Sequence, residues 1–439
     1  MLPSMMNKNH KDVDKDIDKD VEQKDEKPVI KSQIEKIRDF IMEKYNFRYN
    51  VLTQTLEYRD MNGIGYDQLT DQVKTDIVIS LKQMMFKKPK EDLDDILNSS
   101  MIPRFDPIKD YFRDVEYKGD GYIKRLCRLI TLEDPERIIG GKRYSDLFLS
   151  YMERWLMACY LCSTGLKAND MMLILIGRRQ GQFKTTFLEH LIPKSLSDYS
   201  VTQDINPSLA DYNTANYLAE KMFINVDDLM EKIIGKDYNS MKSIISITDV
   251  TSRKLYKSSH QRRRRIANFV GSVNEPRFLR DSNNRRYLCF QIDEIDQRYK
   301  DFDMDAMWAE VKHKADKLQS IFIFTREDYE MIDKMNASFE APTEESEALS
   351  TLLMPADPEI DKDIYFMQFT EILRVLREYT RNNSLKSYNL QTAIRKFGYE
   401  TRSVKMSRFS MQPRYLYAVK LVQQTAYCCD LVQIYKKDN

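Results

Sequence analysis

Four short apolar runs constrain the fold of this chain more than any other feature. They lie at 171–176, 222–226, 266–273 and 286–292. Each is too short for a typical helix, and Gly177 bounds the first. Helix-length segments separate them. Strands buried on both faces read as continuous apolar runs, whereas half-buried strands alternate. The pattern predicts an α/β core over residues 166–340, with helices covering a mainly parallel sheet.

The flanks read differently. Residues 1–30 alternate lysine and aspartate with few apolar residues, too few to offset ordering entropy, so they are expected to be disordered. The spaced aspartates there do not make an EF-hand, because Ile17 or Val21 stands where that loop turns on glycine. Residues 31–115 read as a small mixed region. Ile34, Ile37, Phe40 and Ile41 recur at helical spacing, a hairpin turns at Thr53-Gln54, and Val73, Ile77, Leu81 and Met84 mark another helix. Residues 116–165 read as a helical lid. After an acidic linker at 344–350, residues 345–439 carry two amphipathic helices, a turn at Gly398 and a strand through Tyr415, Tyr417 and Val419. That order suggests a helical, winged-helix-like module. No internal repeat is visible.

Composition narrows the function. A chain of 439 residues accommodates two or three domains. No stretch approaches the roughly 20 apolar residues of a membrane span, and the N-terminus lacks an apolar signal core, so a cytoplasmic protein with no membrane partner is expected. Cys159 and Cys162 form a lone CxxC inside an apolar helical run, which reads as buried thiols and not a zinc site. Four scattered histidines give no basis for His-centred chemistry.

The first apolar run leads into Gly-Arg-Arg-Gln-Gly-Gln-Phe-Lys-Thr-Thr at 177–186. A P-loop needs glycines so that backbone N–H groups can approach phosphates, a lysine for the β/γ charge and a hydroxyl for Mg²⁺. Lys184 and Thr185 fill the last two roles, with Gly177, Gln180, Gly181, Gln182, Phe183 and Thr186 completing the nucleotide-binding candidates. Phe183 stands where the strict pattern has glycine. A side chain there is tolerable if the backbone keeps φ negative and the ring points away from the phosphates. The alternative is an ordinary strand–helix turn with a solvated lysine.

Asp227 and Asp228 end the second run, 43 residues beyond Lys184. There one carboxylate, Asp227, can hold Mg²⁺ with Thr185, and the other, Asp228, can polarise the attacking water. Both could instead cap a helix. Asn274 ends the third run and suits a γ-phosphate sensor. Arg285 or Arg286 could reach a neighbouring subunit's nucleotide as an arginine finger, or pair locally with Asp281 or Glu294. Between the second and third runs, seven of thirteen residues are basic and none is acidic: Arg253, Lys254, Lys257, Arg262, Arg263, Arg264 and Arg265. In a chain of net charge +1 this is a placed cluster, suited to DNA phosphates, with a solvated loop as the alternative.

In these motifs the chain resembles the virulence-associated protein E family, P-loop ATPases of phages, plasmids and other mobile elements related to superfamily 3 helicases. The resemblance runs from about Tyr45 to Ile292. Its pieces are Phe47-Arg-Tyr-Asn50 with Leu56-Glu-Tyr58, Phe105-Asp-Pro107 with Tyr111-Phe112, the loop from Gln180 to Phe187 with Leu191-Ile-Pro193, Gly271-Ser-Val-Asn274, Phe278-Leu-Arg-Asp281, and the Asn284-Arg285-Arg286-Tyr287 box. Phe183 and Asp228 depart from the family pattern, which bears on hydrolysis more than on binding.

The resemblance implies an α/β P-loop core of AAA+ or superfamily 3 helicase type. It implies ATP and Mg²⁺ as cofactors, single-stranded or forked DNA as partner, a homo-oligomeric ring, and helicase or replication work. Any primase would be a separate protein. Two other readings remain: an ATP-binding regulatory or defence switch that recruits a partner without unwinding DNA, and a DNA-binding initiator with a degenerate P-loop.

Overall fold

The computed structural model describes residues 31–179, 181–202, 211–226, 238–252, 261–279, 284–318, 323–409 and 412–436. The expected disorder of residues 1–30 lies outside them. The chain divides into two compact units, one ending at Phe105 and one beginning at Asp106.

In the first unit a capping box between Ser32 and Glu35 starts the helix Gln33–Lys44, whose Ile37 and Ile41 are fully buried one turn apart. The strands Tyr45–Asn50 and Thr55–Asp60 pair antiparallel as the expected hairpin, with Gln54 at φ +54° in its turn. Asp67–Gln68 and Arg104–Phe105 flank the pair, giving four strands. The helices Asp71–Gln83 and Pro89–Asn98 add Ile77, Leu81, Leu93 and Ile96 to the core.

The second unit is built on a six-stranded sheet: β1 (Ile130–Leu132), β2 (Met172–Ile176), β3 (Ser200–Thr202), β4 (Phe223–Val226), β5 (Asn268–Val273) and β6 (Tyr287–Ile295). Their order across the sheet is β1-β6-β2-β5-β4-β3. All neighbours run parallel except β1, which closes the edge antiparallel to β6. The chain leaves β2 for the far edge, returns through β4 to β5, then crosses to β6. Thus β2 is central, and the carboxyl ends of β2, β4 and β5 lie at one end of the sheet. In open α/β sheets that end forms ligand sites.

Both faces are covered, which explains why β2 is apolar at every position and fully buried. On one face Phe223 packs between Trp155 and Trp308, carried by the helices α1 (Tyr144–Ser163) and α2 (Met304–Lys317). On the other, Ile174, Ile224, Val226 and Phe269 meet Leu218, Met241, Ile244 and Ile245 from the helices Tyr212–Glu220 and Tyr238–Ser246. Residues 116–165 are therefore not a lid. They supply β1 and α1, and α1 is apolar nearly all round because it is a core helix. A buried polar network ties α1 to the start of β5. Asn268 donates to Ser163 Oγ (2.9 Å) and accepts from Asn169 (3.1 Å).

The segment expected as an acidic linker is also ordered. It forms the helix Glu344–Leu352, capped by Thr343, with Ala348, Leu349 and Leu352 buried at helical spacing. The strand Tyr365–Met367, the helices Phe369–Thr380 and Ser387–Lys396, and the hairpin of Thr401–Lys405 with Pro413–Leu421 follow in order. Leu390, Ile394, Leu376 and Val419 share one core there.

Candidate functional site

The loop after β2 closes on the side chain of Lys184. This residue begins the six-residue helix Lys184–Glu189 and is only 7% exposed. Its ammonium donates to the Gly177 carbonyl (3.0 Å) and to Asn274 Oδ1 (3.0 Å), with longer contacts to Arg179 O and Gln182 Oε1 (3.4 Å each). A buried cation is costly unless its donors find oxygens. Here the loop itself and the residue after β5 supply them. The lysine read as loop chemistry and the asparagine read as a sensor, 90 positions apart, thus meet directly. They meet because β5 lies beside β2 with Val273 opposite Ile176.

Gly177 has no room for a side chain. A Cβ there would stand 2.0 Å from Gln182 Oε1 and 3.2 Å from Lys184 Cδ. Gln182 is fixed by its own bond to the carbonyl of Asp293 on β6 (2.6 Å). Gly181 takes φ +80°, which glycine adopts freely. Phe183 also lies in the left-handed region, at φ +58°, ψ 21°. The condition of a negative φ is therefore not met. The position has the backbone that the missing glycine would serve, and a side chain there costs roughly 1–2 kcal/mol of strain. The ring is 39% exposed, with Lys300 Nζ 5.4 Å from its centroid.

Thr185 Oγ lies 3.3 Å from Ser272 Oγ, a hydroxyl on β5 that sequence reading passed over because serine inside an apolar run carries no signal. Thr186 accepts from the His190 backbone at 3.1 Å, as an ordinary helix turn. β4 ends at Val226, directly before Asp227 and Asp228, but these two, like Gln180, lie outside the described residues. On β4, Asn225 is 1% exposed and its amide has no hydrogen-bond partner among the described residues. Beside the loop, a cleft of about 740 Å³ is lined by Arg128, Arg179, Gly181, Gln182, Phe183 and the carboxylate of Asp293, among others.

A buried ammonium and a hydroxyl at the next position fit two things a triphosphate needs, a cation and a metal-facing oxygen, while the space over Gly177 is taken by Gln182. Among the described residues no three His, Cys, Asp or Glu side chains gather as a metal cluster. The metal candidates expected from the sequence are Thr185 and Asp227, and Asp227 lies outside the described residues.

Arg285 and Arg286 stand elsewhere. They precede β6, whose Tyr287 pairs with Met172 at the start of β2. The length of β2, about 16 Å at 3.3 Å per residue, separates them from the Lys184 loop. They do not reach the site of their own subunit. Arg285 is exposed, 5.7 Å from the ring of Tyr329, whose hydroxyl donates to Asp170 (3.2 Å). Burial, then the Asp170 charge, raises the Tyr329 pKa. Burial likewise raises that of Asp333 nearby. The local partner Asp281 is outside the described residues.

The basic cluster falls on a hairpin of Asp249–Ser252 and Gln261–Arg264 that precedes β5. Arg253, Lys254 and Lys257 lie outside the described residues. The four consecutive arginines do not form one surface. Arg262 is exposed and pairs with Asp249 (3.1 Å), and Arg264 is exposed and donates to Leu166 O (3.1 Å). Arg263, with 10% of its side chain exposed, pairs with Glu220 (3.2 Å). Arg265 is 1% exposed, its guanidinium on the carbonyls of Asn169 (2.6 Å) and Ala267 (3.1 Å). Strand alternation turns Arg263 inward and Arg265, just past the strand, is buried on those carbonyls, so these two are corrected from phosphate contacts to structural residues. Cys159 and Cys162 are buried free thiols on α1, and burial raises the Cys159 pKa.

No helix among the described residues is long and apolar enough to cross a membrane. No curated protein matches the chain. Two apo structures of the NrS-1 C-terminal region are similar at 12% and 13% identity, each with a TM-score of 0.45, covering 89% of this chain and 100% of theirs. The family model of the virulence-associated protein E-like domain matches residues 133–341. That span holds β2 to β6, the Lys184 loop, Asn274 and the Asn284-Arg285-Arg286 box, and leaves out the motifs at 47–58 and 105–112. The chain therefore carries, over residues 133–341, a virulence-associated protein E-like domain.

Proposed function

We propose that this protein binds ATP with Mg²⁺ at the Lys184 loop and hydrolyses it as the motor of a DNA-replication protein of a mobile element, assembled as a ring. The observation that supports the reading is the convergence of Gly177, Lys184 and Asn274 at the carboxyl end of the central strand.

In this reading the Lys184 ammonium exchanges the loop carbonyls and Asn274 for the β- and γ-oxygens, which are stronger acceptors because they are charged. Asn274, released from Lys184, orients the attacking water or the γ-phosphate. Thr185 and Asp227 hold the metal, and Asp228 draws the proton from the water. ATP supplies the bond to be broken, and Mg²⁺ neutralises charge on its oxygens. Arg285 or Arg286 acts on a neighbouring subunit's site, since each lies at the opposite end of its own sheet. Arg262 and Arg264, with Arg253, Lys254 and Lys257, meet DNA phosphates.

ATP turnover measured with and without single-stranded DNA tests the proposal. The expected result is Mg²⁺-dependent turnover that single-stranded DNA accelerates. Turnover indifferent to DNA would instead support a regulatory switch, and no turnover at all would support a DNA-binding initiator.

A further inference from the structure

Residues 381–420 contain nine basic residues and one acid, Glu400, in a chain whose net charge is only +1. Four of the cations are spent on local pairs: Lys396 with Glu340 (2.7 Å), Arg402 with Asp357 (3.8 Å), Arg408 with Glu371 (3.1 Å) and Lys420 with Asp361 (2.6 Å). The other five, Arg381, Lys386, Arg395, Lys405 and Arg414, are exposed, and none has an ion-pair partner among the described residues. A solvated surface normally intersperses the two signs. This one does not.

The fold puts these charges on one construction. The helix Phe369–Thr380 packs through Ile372, Leu373 and Leu376, a short turn begins with Arg381 at φ +53°, and the helix Ser387–Lys396 follows. The second helix buries Leu390, Ala393 and Ile394. At 100° per residue, Tyr388, Gln391 and Arg395 therefore occupy one sector away from that core. All three are exposed, Tyr388 at 69%. The hairpin lies alongside. Tyr417, Val419 and Leu421 pack into the same core as Leu390 and Ile394, so strand alternation carries Tyr415 onto that same face beyond the core. Cross-strand pairing adds Ser403 opposite Tyr415 and Lys405 opposite Pro413. Tyr415 is 76% exposed.

We propose that this module binds duplex DNA, with the helix Ser387–Lys396 in the major groove and the Thr401–Lys405/Pro413–Leu421 hairpin on the flanking backbone. A ten-residue helix with a bare polar sector fits the B-form major groove, about 12 Å wide. The A-form groove of duplex RNA is too deep and narrow for it. Gln391 and Arg395 carry the donor geometry that reads adenine and guanine edges, and Lys405, on the Tyr415 face, neutralises a phosphate, whereas Arg414 turns to the other face of the hairpin, 5.7 Å from the Phe409 ring. The site is separate from the Lys184 loop and from the Gln261–Arg264 hairpin, and it needs no nucleotide.

Fluorescence anisotropy of the full chain with labelled mixed-sequence duplex DNA, in the absence of ATP, tests it. The double variant Arg395→Glu, Lys405→Glu should weaken duplex binding at least about tenfold and lower the slope of log K against log salt by about 1. Binding of single-stranded DNA should change by less than about twofold, since that contact is assigned to another hairpin. Lys405→Gln alone, an exposed change that removes one phosphate contact, should lower the slope by about 1 and guards against misfolding of the double variant. An unchanged duplex slope in both variants, an equal loss for single and double strands, or a parent protein that prefers duplex RNA would overturn the proposal. None of these results depends on ATP, so their failure leaves the motor reading standing.

Discussion

Gly177→Ala reports on the packing of the loop. The new Cβ would stand 2.0 Å from Gln182 Oε1 and 2.9 Å from its Cδ, so the Gln182 side chain must swing away. In leaving, it gives up its bond to Asp293 O (2.6 Å) and its contact with Lys184 Nζ (3.4 Å). One neutral bond and one weak charged contact together are worth about 2 kcal/mol. In a unit of this size that is a fall of about 4 °C in melting temperature, at roughly 2 °C per kcal/mol. Gln182→Ala loses the same two contacts and should fall by a similar amount. The double variant should therefore melt close to either single one, because the clash has no partner left. Only the approach to Lys184 Cδ (3.2 Å) would remain, and a shift of a few tenths of an ångström relieves it. Differential scanning fluorimetry of the four proteins gives the cycle. If the two falls simply add, Gln182 does not occupy the space that glycine leaves, and the account of the loop is wrong.

Phe183→Gly and Phe183→Ala both delete the ring, but only glycine relaxes φ +58°, so the glycine variant should be the more stable by about 1 kcal/mol in thermal melting. Equal melting would mean that the backbone is not strained there. Arg265→Ala should cost about 3 kcal/mol, because the carbonyls of Asn169 and Ala267 lose a charged donor in a buried place, while exposed Arg262→Ala should cost less than about 0.5 kcal/mol. For DNA binding the order should reverse, with Arg262 lowering the salt slope. The Arg285→Ala, Arg286→Ala double variant should lack turnover alone yet regain part of it when mixed with Lys184→Ala subunits, since a mixed interface joins an intact loop to an intact arginine. Mixed oligomers without recovered turnover would contradict action between subunits.

The central strands were legible because each is buried on both faces, which leaves a mark that needs no knowledge of neighbours. β1 and β3 left none, since Ile-Thr-Leu and Ser-Val-Thr are too short to show a period. The helix α1 was misplaced as part of a lid although its all-round apolar character pointed to a core. The linker at 344–350 was misread because three glutamates outweighed the Ala348, Leu349, Leu352 spacing. Lys184 and Asn274 were each readable from their place after a strand, but their contact was not, because it depends on β5 inserting beside β2. The arginine run misled for a local reason. Like residues in a strand still alternate, which turns Arg263 inward, and Arg265 is buried where the chain leaves the strand, so half of a basic run can be interior. Phe183 carried a true signal read with the wrong sign: glycine is usual there because φ is positive, and the substitution did not change the backbone.

The most direct measurement of the central claim is equilibrium binding of a non-hydrolysable ATP analogue, with Mg²⁺, to the parent chain and to Lys184→Ala. The account predicts saturable binding by the parent and a loss of roughly 100-fold or more in the variant, the worth of about 3 kcal/mol of charged hydrogen bonding. Equal affinity in the two proteins would contradict it, and would return Lys184 to the role of a buried cation that only closes its own loop.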